Sequence, residues 1–286
     1  MLHYRADLRT LAYKVFTTIL FFGLWIYGFN WIAYSVYLLA AIAVSVMTHN
    51  HQHLKIWKNR TLNTLTDWWL TVFYGLPIFV WIPTHNRNHH KFTNKEGDVS
   101  ITYRHTEENN FLSVLCYPSV SGYHQMKESI IPYMKKLRQT DRQTYIENCI
   151  QIAVLAIWVI GFLILDWKKA LLYVVIPQQF SAFIVMVFNY IQHVHTDEES
   201  PYDHSRNFMG INWLLFNNGY HTAHHERAGI HWSLLPAEHN RIAHLIKPEL
   251  VEKTMLGYLF RTYILGAFDS RFMTFNMRQA RLKRQE

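Results

Sequence analysis

The chain contains an uncharged run from Val15 to Leu54, forty residues without an Asp, Glu, Lys or Arg. A helix crosses the hydrocarbon core of a bilayer with about 20 apolar residues, so the run has room for two spans. Asn30 divides it into Val15–Phe29 and Trp31–Thr48. A second region repeats the pattern. Asn148–Leu165 is uncharged, Asp166-Trp167-Lys168-Lys169 makes a short polar turn, and Ala170–Thr196 is uncharged again. A helix on the surface of a soluble domain needs a polar face, and neither region offers one. Both read as membrane hairpins, with spans predicted at about 12–29, 31–50, 147–165 and 170–190. Pro177 falls within the last span, where membrane helices tolerate it.

A third uncharged stretch, Trp68–Asn86, is interrupted by Pro77 and Pro83 and carries Trp68, Trp69, Tyr74 and Trp81. Such aromatic residues favour the membrane interface, so 68–84 is predicted to be interfacial or re-entrant. Parity agrees: histidine clusters at 49–53, 85–90, 193–195 and 221–225 share one side of the membrane only if this segment does not cross. The predicted architecture is a single all-α integral-membrane domain spanning residues 1–286. Four transmembrane helices form two hairpins, and a His-rich helical cap comprises 51–146 and 191–286.

Charge orients it. The Asn30 turn has no Lys or Arg and the 166–169 turn has two, leaving 26 of the 28 basic residues on the other side. The positive-inside rule places both termini and every histidine cluster in the cytoplasm. The apolar run continues to Thr48 with no small-residue cleavage site, so the N-terminus is expected to be a retained span rather than a signal peptide. The net charge of +8 then marks sidedness and lipid headgroups rather than nucleic acid. The mean hydropathy of −0.06 averages apolar hairpins with a charged cap. Cys116 and Cys149 are expected as reduced thiols.

The chain has 18 histidines. Thr48-His49-Asn50-His51-Gln52-His53 closes the second span, and a helix places His49 and His53 on one face with His51 turned away. His85-Asn86-Arg87-Asn88-His89-His90 is expected to put His85 and His89 one turn apart, with His90 adjacent. His221-Thr222-Ala223-His224-His225 is expected to show its three histidines on one face. His193 ends the fourth span. Imidazole ligates metals in its neutral form, and one zinc takes about four ligands. The nine histidines 49, 53, 85, 89, 90, 193, 221, 224 and 225 therefore suggest two ions, of zinc, copper, iron or nickel. His51, His195 and His231 are expected in supporting contacts near the site. His3, His105, His124, His204, His239 and His244 are expected in surface or polar contacts. A metal transporter would place ionisable groups near the bilayer midplane, whereas these clusters sit at the ends of uncharged spans.

The pattern H-x3-H, H-x3-H-H, N-x3-H and H-x2-H-H around two hairpins resembles the integral-membrane fatty acid desaturase superfamily, over about residues 15–245. Two runs sharpen the likeness. His89-His90-Lys91-Phe92-Thr93-Asn94 with Gly97-Asp98 resembles the H-H-x-x-T-N…D run of desaturases. Asn218-Gly219-Tyr220-His221-Thr222-Ala223-His224-His225-Glu226, followed by His231-Trp232-Ser233-Leu234-Leu235-Pro236, resembles the third box of bacterial acyl and sphingolipid desaturases. The resemblance implies that the nine histidines hold two iron ions cycling between Fe2+ and Fe3+, with dioxygen as co-substrate. Asn189 would approach one iron, directly or through water. The chain carries no His-Pro-Gly-Gly haem motif, so electrons would come from a separate ferredoxin or b-type cytochrome and its reductase.

The implied reaction removes two hydrogens from adjacent methylenes of an acyl chain, in a bacterial inner membrane. Hydroxylases and decarboxylases share the scaffold, and the ligand motifs do not separate them. Asp98, Asp197 and Glu226 are candidates to orient the non-ligating ring nitrogens. Trp68, Trp69, Phe73 and Tyr74 are candidate walls of an acyl tunnel, and Arg87, Asn88 and Lys91 are candidate contacts to the acyl headgroup.

Overall fold

A computed structural model describes residues 1–210 and 212–286 and is almost entirely helical. Among the described residues, four helices are long and apolar enough to cross a membrane. The first is α1 (Leu8–Tyr27), which a turn at Arg5–Asp7 extends to Arg5–Tyr27. The others are α2 (Trp31–His53), α7 (Arg142–Leu165) and α8 (Trp167–His193). Between α2 and α7 lie α3 (Arg60–Tyr74), α4 (Ile78–Phe92), α5 (Phe111–His124) and α6 (Ile131–Thr140). After α8 come α9 (His221–Glu226), α10 (Leu235–Ile242), α11 (Met255–Leu259) and α12 (Met277–Leu282). One pair of two-residue parallel strands, β1 (Asn207–Phe208) and β2 (Val251–Glu252), joins Asn207 to Val251.

Capping side chains explain most of the helix starts. Asn30 accepts the Ala33 N–H at 3.0 Å, Asn59 that of Leu62 and Asp141 that of Thr144. Each satisfies one of the free amides of a first turn. Gly28 closes α1 at φ 89° and Gly75 closes α3 at φ 85°. Gly75 is also fixed by space, because a Cβ there would stand 2.4 Å from Gln178 Cβ. Beyond it, Pro77 opens the way to α4, which meets α3 at a 95° bend. Segment 68–84 is therefore the end of one helix, a break and the start of another.

The chain packs as two compact units, Met1–Pro83 with Pro132–Val185, and Thr84–Ile131 with Met186–Glu286. In the first, Phe21 is 1% exposed and centres an aromatic cluster with Trp25, Tyr37, Phe73, Trp158 and Phe162. Small residues of α2 (Ala40, Ala41, Ala43) are buried, and Ser181 donates to the Ala41 carbonyl at 2.7 Å. Such close backbone approach with hydroxyl bonds is how helices associate in lipid. A π turn at Leu171–Val175 loosens α8. The carbonyls of Leu172 and Tyr173 there accept the hydroxyls of Tyr34 and Tyr37, at 2.9 and 3.1 Å. α7 turns apolar side chains outward, with Ile157 73% and Ile164 78% exposed, as a lipid-facing helix does.

The second unit is built differently. Its buried residues include Asn94, Asp98, Ser100, Thr102, Ser205, Arg206, Asn207 and Thr222, held in a connected set of hydrogen bonds around the histidines.

Candidate metal centre

α4 contains a π turn over Ile82–His89, in which residues five apart share a face. His85 and His90 therefore meet, their Nε2 atoms 3.0 Å apart. The Nε2 of His89 lies instead 3.1 Å from that of His193. The His85 and His89 rings stack one turn apart at 5.3 Å, as expected, but their ligand atoms fall in different clusters. The α9 histidines are also divided. His221 and His225 approach at 3.2 Å between Nε2 atoms, whereas the His224 ring packs 4.7 Å from His90 and 5.9 Å from His85. All three rings stay within 5.7 Å of one another, as one face requires, but i+3 and i+4 straddle that face and His224 falls in the other cluster.

Two clusters result within this unit. The ligand atoms of His89, His193, His221 and His225 lie within 4.8 Å of one another, as do those of His85, His90 and His224. In the first unit His49 and His53 stack edge to face at 4.7 Å, with Trp81 5.4 Å from His49. His49 Nδ1 donates to Asn50 Oδ1 at 3.1 Å.

The donor set fits a cation. His89 Nδ1 donates to Asp98 Oδ2 at 2.7 Å, and His193 Nδ1 donates to the His204 carbonyl at 3.0 Å. Both acceptors lack a proton, so in the neutral rings both Nε2 atoms carry lone pairs. Those lone pairs face each other at 3.1 Å, which is repulsive unless a positive charge sits against both. Two nitrogens bound at right angles to one ion, with bonds of about 2.1 Å, stand about 3.0 Å apart.

Asp98 is fully buried. It accepts from the Asn94 and Ser100 amides at 2.7 Å each and from the Ser100 hydroxyl at 2.6 Å. Burial opposes its charge, but His89 and the Ser100 bonds outweigh it and hold the carboxyl well below the usual range. A carboxylate behind a ligand imidazole fixes its tautomer and orientation. The Thr-Asn element has a geometric purpose. Thr93 and Asn94 adopt left-handed φ of 44° and 65°, turning the chain after α4 so that the Asn94 amide reaches Asp98. The Asn94 side chain donates to the His193 carbonyl at 3.3 Å and accepts from the Thr102 amide at 2.8 Å. Burial, with the charges of His90 and His221 next in weight, pushes the His225 pKa well below its ordinary 6.5, toward the neutral form that ligates.

Gly219, just before α9, is required by space: a Cβ would lie 1.9 Å from the Phe208 carbonyl. Its N–H donates to Asn212 Oδ1 and its carbonyl accepts from Phe208, tying the third box to β1.

The remaining sequence candidates are distributed as follows. Asp197 is held by Arg281 at 2.7 Å, and Glu226 stands 3.7 Å from His204 Nε2. Asn189 donates to the Tyr117 hydroxyl at 2.6 Å. Trp69 stacks on Phe73 at 4.4 Å and donates to Thr18, Tyr74 is buried beside Trp81, and Trp68 is half-buried. Asn88 bonds the backbone of Gly97 and Val99, while Arg87 and Lys91 are exposed. His51 bonds Asp67 at 2.8 Å. His195 binds the Glu107 carbonyl and Thr274, and His231 caps Ser233. His204, expected in a surface or polar contact, is buried with its ring 5.4 Å from His225. Its carbonyl is the partner of His193, a role that no side-chain pattern signals.

A fatty acid desaturase family model matches residues 24–257. The chain belongs to the fatty acid desaturase family. No curated protein matches it, and no solved structure does. For a member of this family the two histidine clusters are consistent with a di-iron oxidoreductase, and an acyl substrate follows from the membership.

Proposed function

We propose that this protein is an oxygen-dependent acyl desaturase that introduces a double bond into a membrane-associated acyl chain. The nine histidines, His49 and His53 among them, hold two iron ions as its resident cofactor. The observation that carries the reading is the pair of histidine clusters in a chain of this family. When bound with dioxygen, the ions supply the oxidising power that breaking an unactivated C–H bond demands. The protein's own residues do the rest. Asp98 and the His204 carbonyl hold His89 and His193 in the ligating tautomer. Buried carboxylate and imidazole are oriented before substrate arrives. Trp68, Trp69, Phe73 and Tyr74 line the path of the acyl chain, so that only chosen methylenes reach the centre. Arg87 and Lys91 meet its headgroup. Both termini and the cap face the cytoplasm, where a ferredoxin or b-type cytochrome and its reductase deliver electrons.

Lipid analysis by mass spectrometry, after expression in a host with compatible reductants, tests the reading. A product lighter by two hydrogens is expected. A product heavier by one oxygen, or a terminal alkene one carbon shorter, overturns desaturation in favour of hydroxylation or decarboxylation. Elemental analysis of detergent-purified protein is expected to find about two irons per chain, and one zinc without iron would refute the cofactor assignment.

A further inference from the structure

The four residues His204–Asn207 touch both of the elements that carry the closest ligand pair. His193 and His221 bring their Nε2 atoms to 2.9 Å, although one ends α8 and the other begins α9. The end of α8 exposes carbonyls with no partner within the helix. Arg206 takes three positions there. Its backbone N–H donates to the Gln192 carbonyl at 2.7 Å, and its Nη1 to those of Ile191 and Val194 at 2.9 and 3.2 Å. The guanidinium is buried, lies over the Tyr258 ring at 4.8 Å and has Glu252 4.0 Å from its Nε. A cation at a helix C-terminus is favourable to the helix dipole, and this one brackets His193.

The next residue holds the other ligand. Asn207 Oδ1 accepts the Thr222 amide at 3.0 Å, and Asn207 Nδ2 donates to Thr222 Oγ1 at 2.8 Å. The Thr222 hydroxyl lies 2.9 Å from Ser205 Oγ. Thr222 directly follows His221, so this grip sets the first turn of α9. With the His204 carbonyl on His193 Nδ1, one short run of chain controls a ring nitrogen, a helix end and a helix start.

We infer that Arg206 and Asn207 are positioning residues that fix the His193–His221 spacing and so set the cation affinity of one cluster without touching the ion. The inference rests on the metal-binding reading of the clusters. The test is a stepwise Co2+ titration of the full chain in detergent, followed by visible absorption, together with thermal melting of the metal-free chain.

The wild type is expected to bind two equivalents, one per cluster. Thr222→Val, which keeps the shape and removes the hydroxyl, is expected to weaken one equivalent by about 10–100-fold and leave the other unchanged. Thr222→Ser is expected to restore wild-type affinity, with a metal-free melting temperature matching that of Thr222→Val. Asn207→Ala and Arg206→Lys are expected to weaken the same equivalent. If Thr222→Val binds both equivalents normally, or loses both alongside a lower metal-free melting temperature, the assignment fails. If the wild type takes up no Co2+, the metal reading fails and the assignment goes with it.

Discussion

The two units of the chain are stabilised by opposite means. Met1–Pro83 with Pro132–Val185 is packed from apolar and aromatic side chains, and several of its polar groups, such as Tyr34 and Tyr37, serve to satisfy backbone where a helix loosens. Thr84–Ile131 with Met186–Glu286 is organised by polar side chains that aim histidines. Packing energy is spread over many weak contacts, so its loss is graded. A directed hydrogen bond is present or absent, so its loss is felt at one atom. The two units should therefore fail differently when mutated.

The largest effect is expected at the candidate ligands. His221→Ala or His225→Ala should abolish lipid conversion and lower bound metal, whereas His239→Ala, whose ring packs 4.9 Å from Tyr220, should retain both. Equal activity in all three would remove the contrast. In the first unit, Phe21→Ala empties the centre of the aromatic cluster and should cost about 3 kcal/mol. Melting in detergent reads that loss, and the folded fraction should still carry its full complement of metal. Asp98→Asn keeps the shape but weakens the acceptor behind His89, so metal affinity should fall by about 10–100-fold with little change in melting of the metal-free chain.

The smallest expected effect is a pH dependence from His225 in the second unit. The His225 pKa is depressed below 6.5, so the unfolded chain binds its proton more readily than the folded one. Stability and metal retention should hold above about pH 6.5 and decline as the pH falls below it. A profile that is flat from pH 7 to 5 in the wild type and unchanged in His225→Gln would overturn this expectation.

Much of this architecture was legible because lipid imposes a coarse rule. An uncharged run long enough to span must be a helix, and the hairpins at Asn30 and Asp166 follow. The helix ends were less legible. α7 begins at Arg142 rather than near 147 because Asp141 caps it, and a count of uncharged residues passes over a charged cap. The histidines were recognisable as candidate ligands by type and clustering, but not by partner. The π turn over Ile82–His89 changes which residues share a face, and histidine spacing does not reveal where a helix takes an extra residue per turn. Arg206, Asn207 and the His204 carbonyl escaped notice for another reason. Their partners lie 11 or more residues away in sequence, and His204 and Arg206 both bond through their backbones.

The interleaving of the ligands bears on how this chain tolerates length changes. His89 sits between His85 and His90 yet faces the other cluster, and His224 does the same between His221 and His225. One residue inserted or deleted between the first two histidines of either box would turn the two that follow by about 100° and misdirect donors of both clusters together. Substitutions can damage one ion's surroundings at a time, but a shift of register there leaves neither intact. Natural or engineered variation in length should therefore be confined to the connections outside these two short helical stretches.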